Sequence, residues 1–497
     1  MRPAVAAALL AALQVAACRA GRAPRGEAKR TINLSACHLT GAVGQVVDAR
    51  CGTLVVPEDR ARGAASATDG GGRTVGLAVA VVKATGRTSA PDAIFVLAGG
   101  PGQSARDLYP DMANGFSDLC ITHDIVLVDQ RGTGRSAPLS CPDIEIEGTT
   151  HDPSEEAGLA ARCREELEKH ADLRQYTTAN AMDDLDDVRA ALGYDKIDLY
   201  GVSYGTRAAL VYLRRHEGHV RAVVVDGVAP PDWTLGASFG ADAQRALDLL
   251  SSRCATDAAC NDASPDVAKS LAALLAAHET PVKVVVPHPT TAAPTPVTVS
   301  RDTLAGTIHA LSYSSETAAL LPLLIHAANA TGDLRPLAAQ SILMGDALKL
   351  SVGEHLAVVC SEDAPFLDLA AAAASGAGTY LGDTLARRYV ETCKGWPRAD
   401  VTPADRAPVV SSVPVLLLSG ELDPVTPPSN AAAAARTLPN SRELTVPGEG
   451  HGALLRGCTP RIVRDFIQRG SVKDLSVSCL ERARPMRFFT SFAGPPP

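Results

Sequence analysis

The sequence predicts an α/β fold with a mostly parallel central sheet, flanking helices and an inserted, mainly helical cap domain. Short and almost wholly apolar runs alternate with helical or loop segments up to about residue 232, as strands buried on both faces of a parallel sheet do. From 233 to 406 an Ala- and Leu-rich stretch with helical spacing replaces this alternation. The strand pattern resumes after residue 406, so the helical stretch is predicted to be an insertion.

Six apolar runs are the predicted strands of the parallel sheet. They are AIFVL at 93–97, DIVLV at 124–128, IDLY at 197–200, AVVV at 222–225, VPVLLL at 413–418 and ELTV at 443–446. Two β-rich runs precede them, at 51–56 and 74–82, on either side of a glycine-rich turn at 70–72. These two runs predict a leading hairpin.

Helical spacing of apolar residues is clearest before the third of the six strands and within the cap. Residues 178–192 carry apolar side chains on one face and acidic side chains on the other, which predicts a helix. The cap is predicted to contain helices at 242–251, 267–278, 301–311, 316–328 and 334–348, and a short hairpin that pairs 281–286 with 296–300.

These patterns divide the chain into five segments. They are a signal peptide at 1–17, a polar tether at 18–45, a first core part at 46–232, the cap at 233–406, and a second core part with a C-terminal tail at 407–497. Arg2 and the apolar run that follows it are typical of a bacterial export signal. The run Val-Ala-Ala-Cys at 15–18 resembles a lipobox, which would place lipid on Cys18 and anchor the chain to a membrane. A plain secretory signal cut near Ala17 is the alternative.

Composition narrows the choice of partners and compartment. The formal net charge of −8 and the isoelectric point near 5.9 give no reason to expect a nucleic-acid partner. Ten of the 12 cysteines fall into pairs that are close in sequence, and an exported chain would form disulfides from them. The pairs are Cys37 with Cys51, Cys141 with Cys163, Cys254 with Cys260, Cys360 with Cys393, and Cys458 with Cys479. Cys18 and Cys120 are left over.

The run IDLYGVSYGT at 197–206 contains the strongest chemical motif. An apolar strand stops at Gly201-Val-Ser203-Tyr-Gly205, and a helical pattern follows at once. This is the strand, sharp turn and helix of a nucleophile elbow, in which glycines two residues before and after the serine let the strand and the helix pass closely. Ser203 is therefore a candidate nucleophile, provided that the chain also supplies a base, an acid and an oxyanion site.

The last two predicted strands end in the residues that the elbow requires. Asp423 follows the strand at 413–418, and His451 lies in a glycine-flanked loop after the strand at 443–446. The carboxyl ends of parallel strands meet at one edge of a sheet, so these residues can converge on Ser203. His451 would take the serine proton, and Asp423 would orient the imidazole and stabilise the imidazolium. Asp226, which also follows an apolar strand, is the alternative acid.

An oxyanion site is predicted from two backbone N–H groups. One belongs to Tyr204, the residue after the candidate nucleophile, and the other to the loop Ala98-Gly-Gly-Pro-Gly102 that follows a buried strand. Within that loop Gly100 is the preferred donor. No metal or cofactor is predicted, because these groups supply a nucleophile, a base and an oxyanion site without one.

Four segments together resemble the proline iminopeptidase and tripeptidyl aminopeptidase family of α/β-hydrolases. They are DQRGTGRS at 129–136, GGPG at 99–102, GVSYGT at 201–206 and DPVTP at 423–427. CGTLVVPED at 51–59 and GCTP at 457–460 are similar to the exported tripeptidyl aminopeptidase branch. Ala98 stands where many proline iminopeptidases have a histidine before the two glycines, which puts simple proline release in doubt.

The resemblance implies the α/β-hydrolase fold and serine exopeptidase activity on the free amino terminus of a peptide substrate. Such an enzyme needs a carboxylate for the substrate's ammonium group, and the cap usually supplies it. Glu362 and Asp363 are the candidates, because a disulfide at Cys360 would hold the turn that carries them, and Glu354 is a third option. Two other functions stay open, an esterase or lipase with the same triad and a hydrolase-like binding module.

Overall fold

A computed structural model describes residues 31–42, 44–62, 72–141, 153–347 and 350–494. The predicted signal peptide at 1–17, Cys18 and most of the glycine-rich turn at 70–72 lie outside the described residues. Within the predicted tether at 18–45, residues 35–40 form the first strand of the sheet.

The strands of the described residues form one large sheet and one hairpin. In chain order they are β1 (Ser35–Thr40), β2 (Val46–Pro57), β3 (Thr74–Val82), β4 (Ala93–Leu97), β5 (Ile125–Val128), β6 (Ile197–Val202), β7 (Val220–Asp226), β8 (Val282–Pro287), β9 (Pro294–Val299), β10 (Val415–Gly420) and β11 (Ser441–Val446). The large sheet has the order β1-β2-β3-β5-β4-β6-β7-β10-β11, and β8 pairs with β9 in the hairpin. Strands β1, β2, β3 and β5 pair antiparallel, and every pair from β5 to β11 is parallel, which confirms the predicted sheet.

Helices surround the sheet and fill the long connection between β7 and β10. In chain order they are α1 (Ala105–Met112), α2 (Pro153–Leu167), α3 (Thr178–Leu192), α4 (Tyr204–His216), α5 (Phe239–Thr256), α6 (Ala258–Ala263), α7 (Val267–Ala276), α8 (Arg301–Leu311), α9 (Ser315–Ala318), α10 (Leu321–Thr331), α11 (Arg335–Ala347), α12 (Val352–Glu362), α13 (Leu369–Gly376), α14 (Thr384–Thr392), α15 (Pro428–Ala435) and α16 (Thr459–Arg469).

Each face of the sheet is covered by its own helices. Apolar side chains of α3, α4 and α15 pack on one face, and those of α1 and α16 pack on the other. The central strands β4 and β5 are therefore buried along their whole length. This two-sided burial accounts for their almost wholly apolar sequences.

The cap helices have a separate apolar core, which α5, α7, α8, α10 and α11 share with the hairpin. The structure contradicts two elements predicted for the cap, and it adds the helices α6, α13 and α14, which were not predicted. The helix predicted at 316–328 is divided into α9 and α10, because Pro322 has no N–H for a continuous helix and lies in the first turn of α10. The segment that carries Glu362 is the helix α12 rather than a turn. Most residues of α12 are buried, so its sequence lacks the polar face of an amphipathic helix. The helix therefore could not be predicted from the spacing of apolar residues.

All five predicted cysteine pairs form disulfides. The bond between Cys360 and Cys393 joins α12 to the end of α14. Cys120 is a free cysteine and lies against the Tyr109 hydroxyl, 3.2 Å away. Across the part of the chain that the structure describes, no helix combines the length and the apolar character needed to cross a membrane.

Candidate active site

The chain makes a sharp turn at Ser203, between β6 and α4. Ser203 has φ 57° and ψ −129°, a conformation that L-residues rarely adopt. A Cβ on Gly201 would lie 2.2 Å from the carbonyl oxygen of Gly205, and a Cβ on Gly205 would lie 2.2 Å from the carbonyl oxygen of Leu97. Both positions therefore require glycine, and the strained turn presents the serine at the carboxyl end of the sheet.

We expect Gly205→Ala to lower the free energy of unfolding by about 1–3 kcal/mol, because the added methyl group would overlap the backbone at the end of β4. Chemical denaturation measures this change. Gly218→Ala is the matched control, since a Cβ at Gly218 would meet no atom within 4 Å. Equal denaturation midpoints for the two variants would contradict the tight packing of the elbow.

Asp423 and His451 form a hydrogen-bonded pair at the ends of β10 and β11. The distance from His451 Nδ1 to Asp423 Oδ2 is 2.8 Å. The backbone N–H groups of Val425 and Thr426 donate to Asp423 Oδ1, at 2.9 and 2.8 Å. The Thr426 hydroxyl donates to Asp423 Oδ2 at 2.8 Å and lies 3.0 Å from His451 Nδ1. The carboxylate is fully buried and can accept only in fixed directions, which orients the imidazole.

Each member of this pair changes the pKa of the other. Burial alone would lower the pKa of His451, but the charge and hydrogen bond of Asp423 and the charge of Asp226 outweigh it and raise the pKa above its usual value. Burial alone would raise the pKa of Asp423, but the charge and hydrogen bond of His451 and the two backbone donors lower it below its usual value. The pair therefore favours an ionised Asp423 beside a more basic His451.

Asp226, the alternative acid, is bonded elsewhere. Its carboxylate accepts hydrogen bonds from the backbone N–H groups of Ala453 and Leu454, at 2.8 to 2.9 Å. The Tyr200 hydroxyl donates to it at 2.9 Å. Asp226 thus holds the turn that follows His451, whereas Asp423 contacts the imidazole itself.

The backbone of Asp226 and Gly227 lies between the elbow and the histidine. The N–H of Ser203 donates to the Asp226 carbonyl oxygen at 2.9 Å, and a Cβ on Gly227 would lie 3.0 Å from His451 Cε1. On another side of the elbow, a Cβ on Gly99 would lie 3.4 Å from Ser203 Oγ. The structure therefore gathers the elbow, the histidine and the glycine loop at one edge of the sheet.

The two backbone groups predicted as oxyanion donors belong to the glycine loop and to the first turn of α4. In the glycine loop, the N–H of Gly99 donates to Gln103 Oε1 at 3.2 Å, and the next residue, Gly100, has φ +105°. Tyr204 is the first residue of α4, so its N–H has no acceptor within the helix. These are the positions predicted for the two donors.

A buried aspartate that the sequence did not single out supports the glycine loop. Asp129 Oδ1 accepts from the Ser104 hydroxyl at 2.7 Å and from the N–H of Arg106 at 3.2 Å, and Asp129 Oδ2 accepts from the N–H of Arg135 at 3.0 Å. Ser104 is also the N-cap of α1, which begins just after the loop. The run DQRGTGRS at 129–136 was the available signal for this role.

The structure gives the three candidate carboxylates of the cap different surroundings. Asp363 forms a buried ion pair with Arg207, with contacts of 2.9 and 3.0 Å, and also accepts from the N–H of Leu235 at 2.8 Å. Glu362 accepts from the N–H and the hydroxyl of Thr178, both at 2.7 Å. These two carboxylates are already bonded to the enzyme's own groups.

Glu354 differs, because its buried Oε2 has no hydrogen-bond partner among the described residues. This oxygen faces the glycine loop, where a Cβ on Gly102 would lie 3.5 Å from it. Burial, and then the charge of Glu362, raise the pKa of Glu354 well above its usual value. A buried polar atom without a partner is costly, so Glu354 Oε2 is a position where a group outside the described residues would be stabilising.

Two groups of histidines and aspartates among the described residues are compact enough to hold a metal ion. They are Asp186 with His216 and His219, and Asp92 with His123 and Asp198. Both lie away from the elbow, at the far end of α4 and at the amino ends of the parallel strands. Arginines already pair with the carboxylates, Arg189 with Asp186 and Arg221 with Asp92 and Asp198.

Two family models match the chain. Residues 92–310 match a model described as alpha/beta hydrolase fold, and residues 378–479 match a model described as TAP-like protein. The chain has the α/β-hydrolase fold. The two matches span Ser203, Asp423 and His451, and they support the family predicted from the motifs.

Curated relatives of this α/β-hydrolase include peptidases and an esterase. Tripeptidyl aminopeptidase of Streptomyces lividans is 33% identical over 198 residues, which cover 37% of this chain and 36% of that protein. Serine protease Hip1 of Mycobacterium tuberculosis is 26% identical over 480 residues, 87% of each chain. Carboxylesterase B of Mycobacterium tuberculosis is 32% identical over 204 residues, 38% of this chain and 37% of that protein. The chain thus spans about a third of the length of the tripeptidyl aminopeptidase in this match.

Proposed function

We propose that this α/β-hydrolase is an exported serine exopeptidase, which cleaves peptides from their free amino terminus through an acyl-enzyme on Ser203. The observation that carries the exopeptidase proposal is the buried Oε2 of Glu354, which lies beside the glycine loop and has no hydrogen-bond partner in the part of the chain that the structure describes. The names of the tripeptidyl aminopeptidase and serine protease relatives support a peptidase of this kind.

In the acylation step, Ser203 Oγ attacks the carbonyl carbon of the scissile peptide bond, and His451 Nε2 takes the serine proton. Asp423, hydrogen-bonded to His451 Nδ1, stabilises the imidazolium and fixes its orientation. The N–H groups of Gly100 and Tyr204 donate to the oxyanion that forms, and each such donor lowers the barrier by roughly 3 kcal/mol. The intermediate collapses when His451 gives the proton to the leaving amine.

In the deacylation step, a water molecule takes the place of the amine. His451 removes a proton from this water, and the resulting hydroxide attacks the acyl carbon of the ester on Ser203. Collapse of the second tetrahedral intermediate breaks the ester bond, and His451 returns the proton to Ser203 Oγ. The released product carries the new carboxylate, and the enzyme is restored.

We assign the substrate's ammonium group to Glu354, with Glu362 nearby. The carboxyl groups of these two residues repel each other when both are ionised, and burial and this repulsion raise the pKa of Glu354. A cation bound at Glu354 Oε2 would favour the ionised form and supply the missing partner. An acetylated amino terminus has no charge to offer, so the same site disfavours blocked peptides. Asp363 is left with a structural role in its ion pair with Arg207.

We expect Glu354→Gln to lower kcat/KM for peptide anilides with a free amino terminus by about 30- to 1,000-fold, as loss of one partner of a buried charge pair costs roughly 2–4 kcal/mol. Hydrolysis of a simple aryl ester, which lacks the ammonium group, is expected to change little. Steady-state kinetics on both substrates measure the difference. Glu391→Gln, at a half-buried position near the end of α14, is the control. An equal loss on both substrates would count against an ammonium site at Glu354.

An esterase is the second candidate function, and the likeness to carboxylesterase B favours it. The two functions share the same triad and oxyanion site. They are distinguished by comparing wild-type rates on free and acetylated peptide anilides and on aryl esters. Equal rates on free and acetylated peptides would remove the exopeptidase proposal, and ester hydrolysis alone would establish the esterase.

The proposal also includes the location of the protein, which is outside the cytoplasm. Five disulfides, including buried ones in the cap, support a location outside the reducing cytoplasm. We propose that the mature chain is secreted, periplasmic or held at the cell envelope by lipid on Cys18. Mass spectrometry of the mature amino terminus decides between a lipidated Cys18 and an unmodified end near it.

A further inference from the structure

The first cap helix contacts the loop of the candidate acid directly. Arg245, on α5, donates from Nη1 to the carbonyl oxygen of Glu421 at 2.9 Å and from Nη2 to the carbonyl oxygen of Asp423 at 2.7 Å. One guanidinium group thus spans the loop that leaves β10. A planar fork of donors fixes both the distance and the angle between two acceptors, which a lysine cannot do.

These bonds act on the backbone of Asp423, while other contacts act on its side chain. Thr426 and Val425 fix the carboxylate oxygens, and Arg245 fixes the carbonyl group of the same residue. Without Arg245, two carbonyl oxygens beneath the cap would lose a charged donor. The loop could then shift, and the carboxylate would shift with it relative to His451.

The cap also contacts the backbone of the base. The N–H of His451 donates to the carbonyl oxygen of Tyr313, between α8 and α9, at 2.6 Å. The Tyr313 ring meets the imidazole edge to face, with 5.3 Å between the ring centroids. A Cβ on Gly450 would lie 2.2 Å from the Tyr313 carbonyl oxygen, so the two backbones are in close contact. The cap therefore touches both loops whose relative position sets the 2.8 Å bond between Asp423 and His451.

We propose that Arg245 is a positioning residue for the acid Asp423, so that the cap sets the rate of the chemical step as well as the choice of substrate. The proposal rests on the proposed role of the triad. Because Arg245 acts through the backbone of Asp423, its loss is expected to slow the reaction of every substrate alike. This separates it from Glu354, whose loss affects only substrates with a free amino terminus.

The test compares Arg245→Ala and Arg245→Lys with the wild type and with Arg253→Ala. Arg253 lies two turns further along α5, donates to the carbonyl oxygen of Met486 at 3.1 Å and packs on the Phe488 ring, so it anchors the same helix to the C-terminal segment. Arg245→Ala is expected to lower kcat on the order of 10- to 100-fold, for a peptide anilide and an aryl ester alike. KM is expected to stay within about twofold, because the binding groups are unchanged.

Two further measurements separate positioning from a general loss of structure. The rate at which a fluorophosphonate labels Ser203 is expected to fall by the same factor as kcat, since labelling needs the triad but no peptide subsite. Added guanidinium ion at low concentration is expected to restore part of the activity of Arg245→Ala and none in Arg253→Ala. Arg245→Lys, which keeps the charge but not the fork, is expected to stay impaired.

Three outcomes would overturn the proposal while the wild type remains active. In the first, Arg245→Ala is as active as Arg253→Ala. In the second, Arg245→Ala changes KM and leaves kcat unchanged. In the third, both variants have a lowered thermal midpoint, and the slower labelling of Ser203 is explained by that loss of stability. A wild-type enzyme that hydrolyses neither the peptides nor the ester would instead contradict the proposed function. The two failures are therefore distinguishable in one set of assays.

Discussion

Replacement of Ser203 by alanine is expected to lower turnover by about 10⁶-fold, the size of loss seen when a serine hydrolase loses its nucleophile. In the proposed mechanism the hydroxyl oxygen forms the acyl-enzyme, and the elbow offers no second hydroxyl at that position. Alanine fits the space of serine, although it must adopt the same strained backbone at φ 57°. The thermal midpoint is therefore expected to stay close to that of the wild type.

Steady-state turnover and covalent labelling by a fluorophosphonate measure this prediction together. The wild type is expected to gain the mass of the phosphonyl group on the peptide that contains Ser203, and the alanine variant is not. Turnover by the variant at wild-type level would remove the elbow from the mechanism. An absence of turnover in both proteins, with intact folding, would favour the binding-module alternative.

The strands and several helices could be predicted because their sequence patterns end at turn residues. The runs at 74–82 and 93–97, and the helices at 178–192 and 301–311, have the same bounds in the structure. In contrast, β1 could not be predicted, because it is a mostly exposed edge strand without an apolar run. The helix α12 was hidden by burial on nearly every side.

The candidate site likewise has residues that could be predicted from the sequence and residues that could not. Ser203, Asp423 and His451 could be proposed from sequence because each follows an apolar strand, and parallel strands bring their carboxyl ends together. The surroundings of the cap carboxylates could not be proposed, since they depend on which groups pack against α12. Only the structure shows that Arg207 engages Asp363 while Glu354 Oε2 lacks a partner among the described residues.

Asp423→Asn is expected to lower kcat by about 10⁴-fold, as an amide in place of the carboxylate favours the wrong tautomer of the histidine. The amide N–H of asparagine can donate to His451 Nδ1. The proton of the neutral imidazole then lies on Nε2, which must be unprotonated to accept the proton of Ser203. Asp226→Asn is the matched variant. It weakens the bonds to Ala453 and Leu454, so it is expected to lower stability while kcat per folded molecule stays within about tenfold of the wild type.

The pH dependence gives a second and independent signature of the acid. His451 must be neutral to act as the base, so kcat/KM of the wild type rises with pH through the pKa of His451 in the free enzyme. Burial lowers that pKa, and the charge of Asp423 more than compensates and raises it. In Asp423→Asn the burial effect remains and the compensating charge is gone. The rise of kcat/KM with pH is therefore expected to occur at lower pH, and the value that kcat/KM reaches at high pH is expected to fall.

Asp226 also raises the pKa of His451 through its charge, but it forms no hydrogen bond with the imidazole. In Asp226→Asn the rise of kcat/KM is therefore also expected to move to lower pH, but by a smaller amount. The value of kcat/KM at high pH is not expected to fall by a large factor. If kcat/KM at high pH fell by a large factor in Asp226→Asn and by a small factor in Asp423→Asn, Asp226 would be the acid of the triad and Asp423 would not. The 2.8 Å contact between Asp423 Oδ2 and His451 Nδ1 is the reason to expect the opposite order.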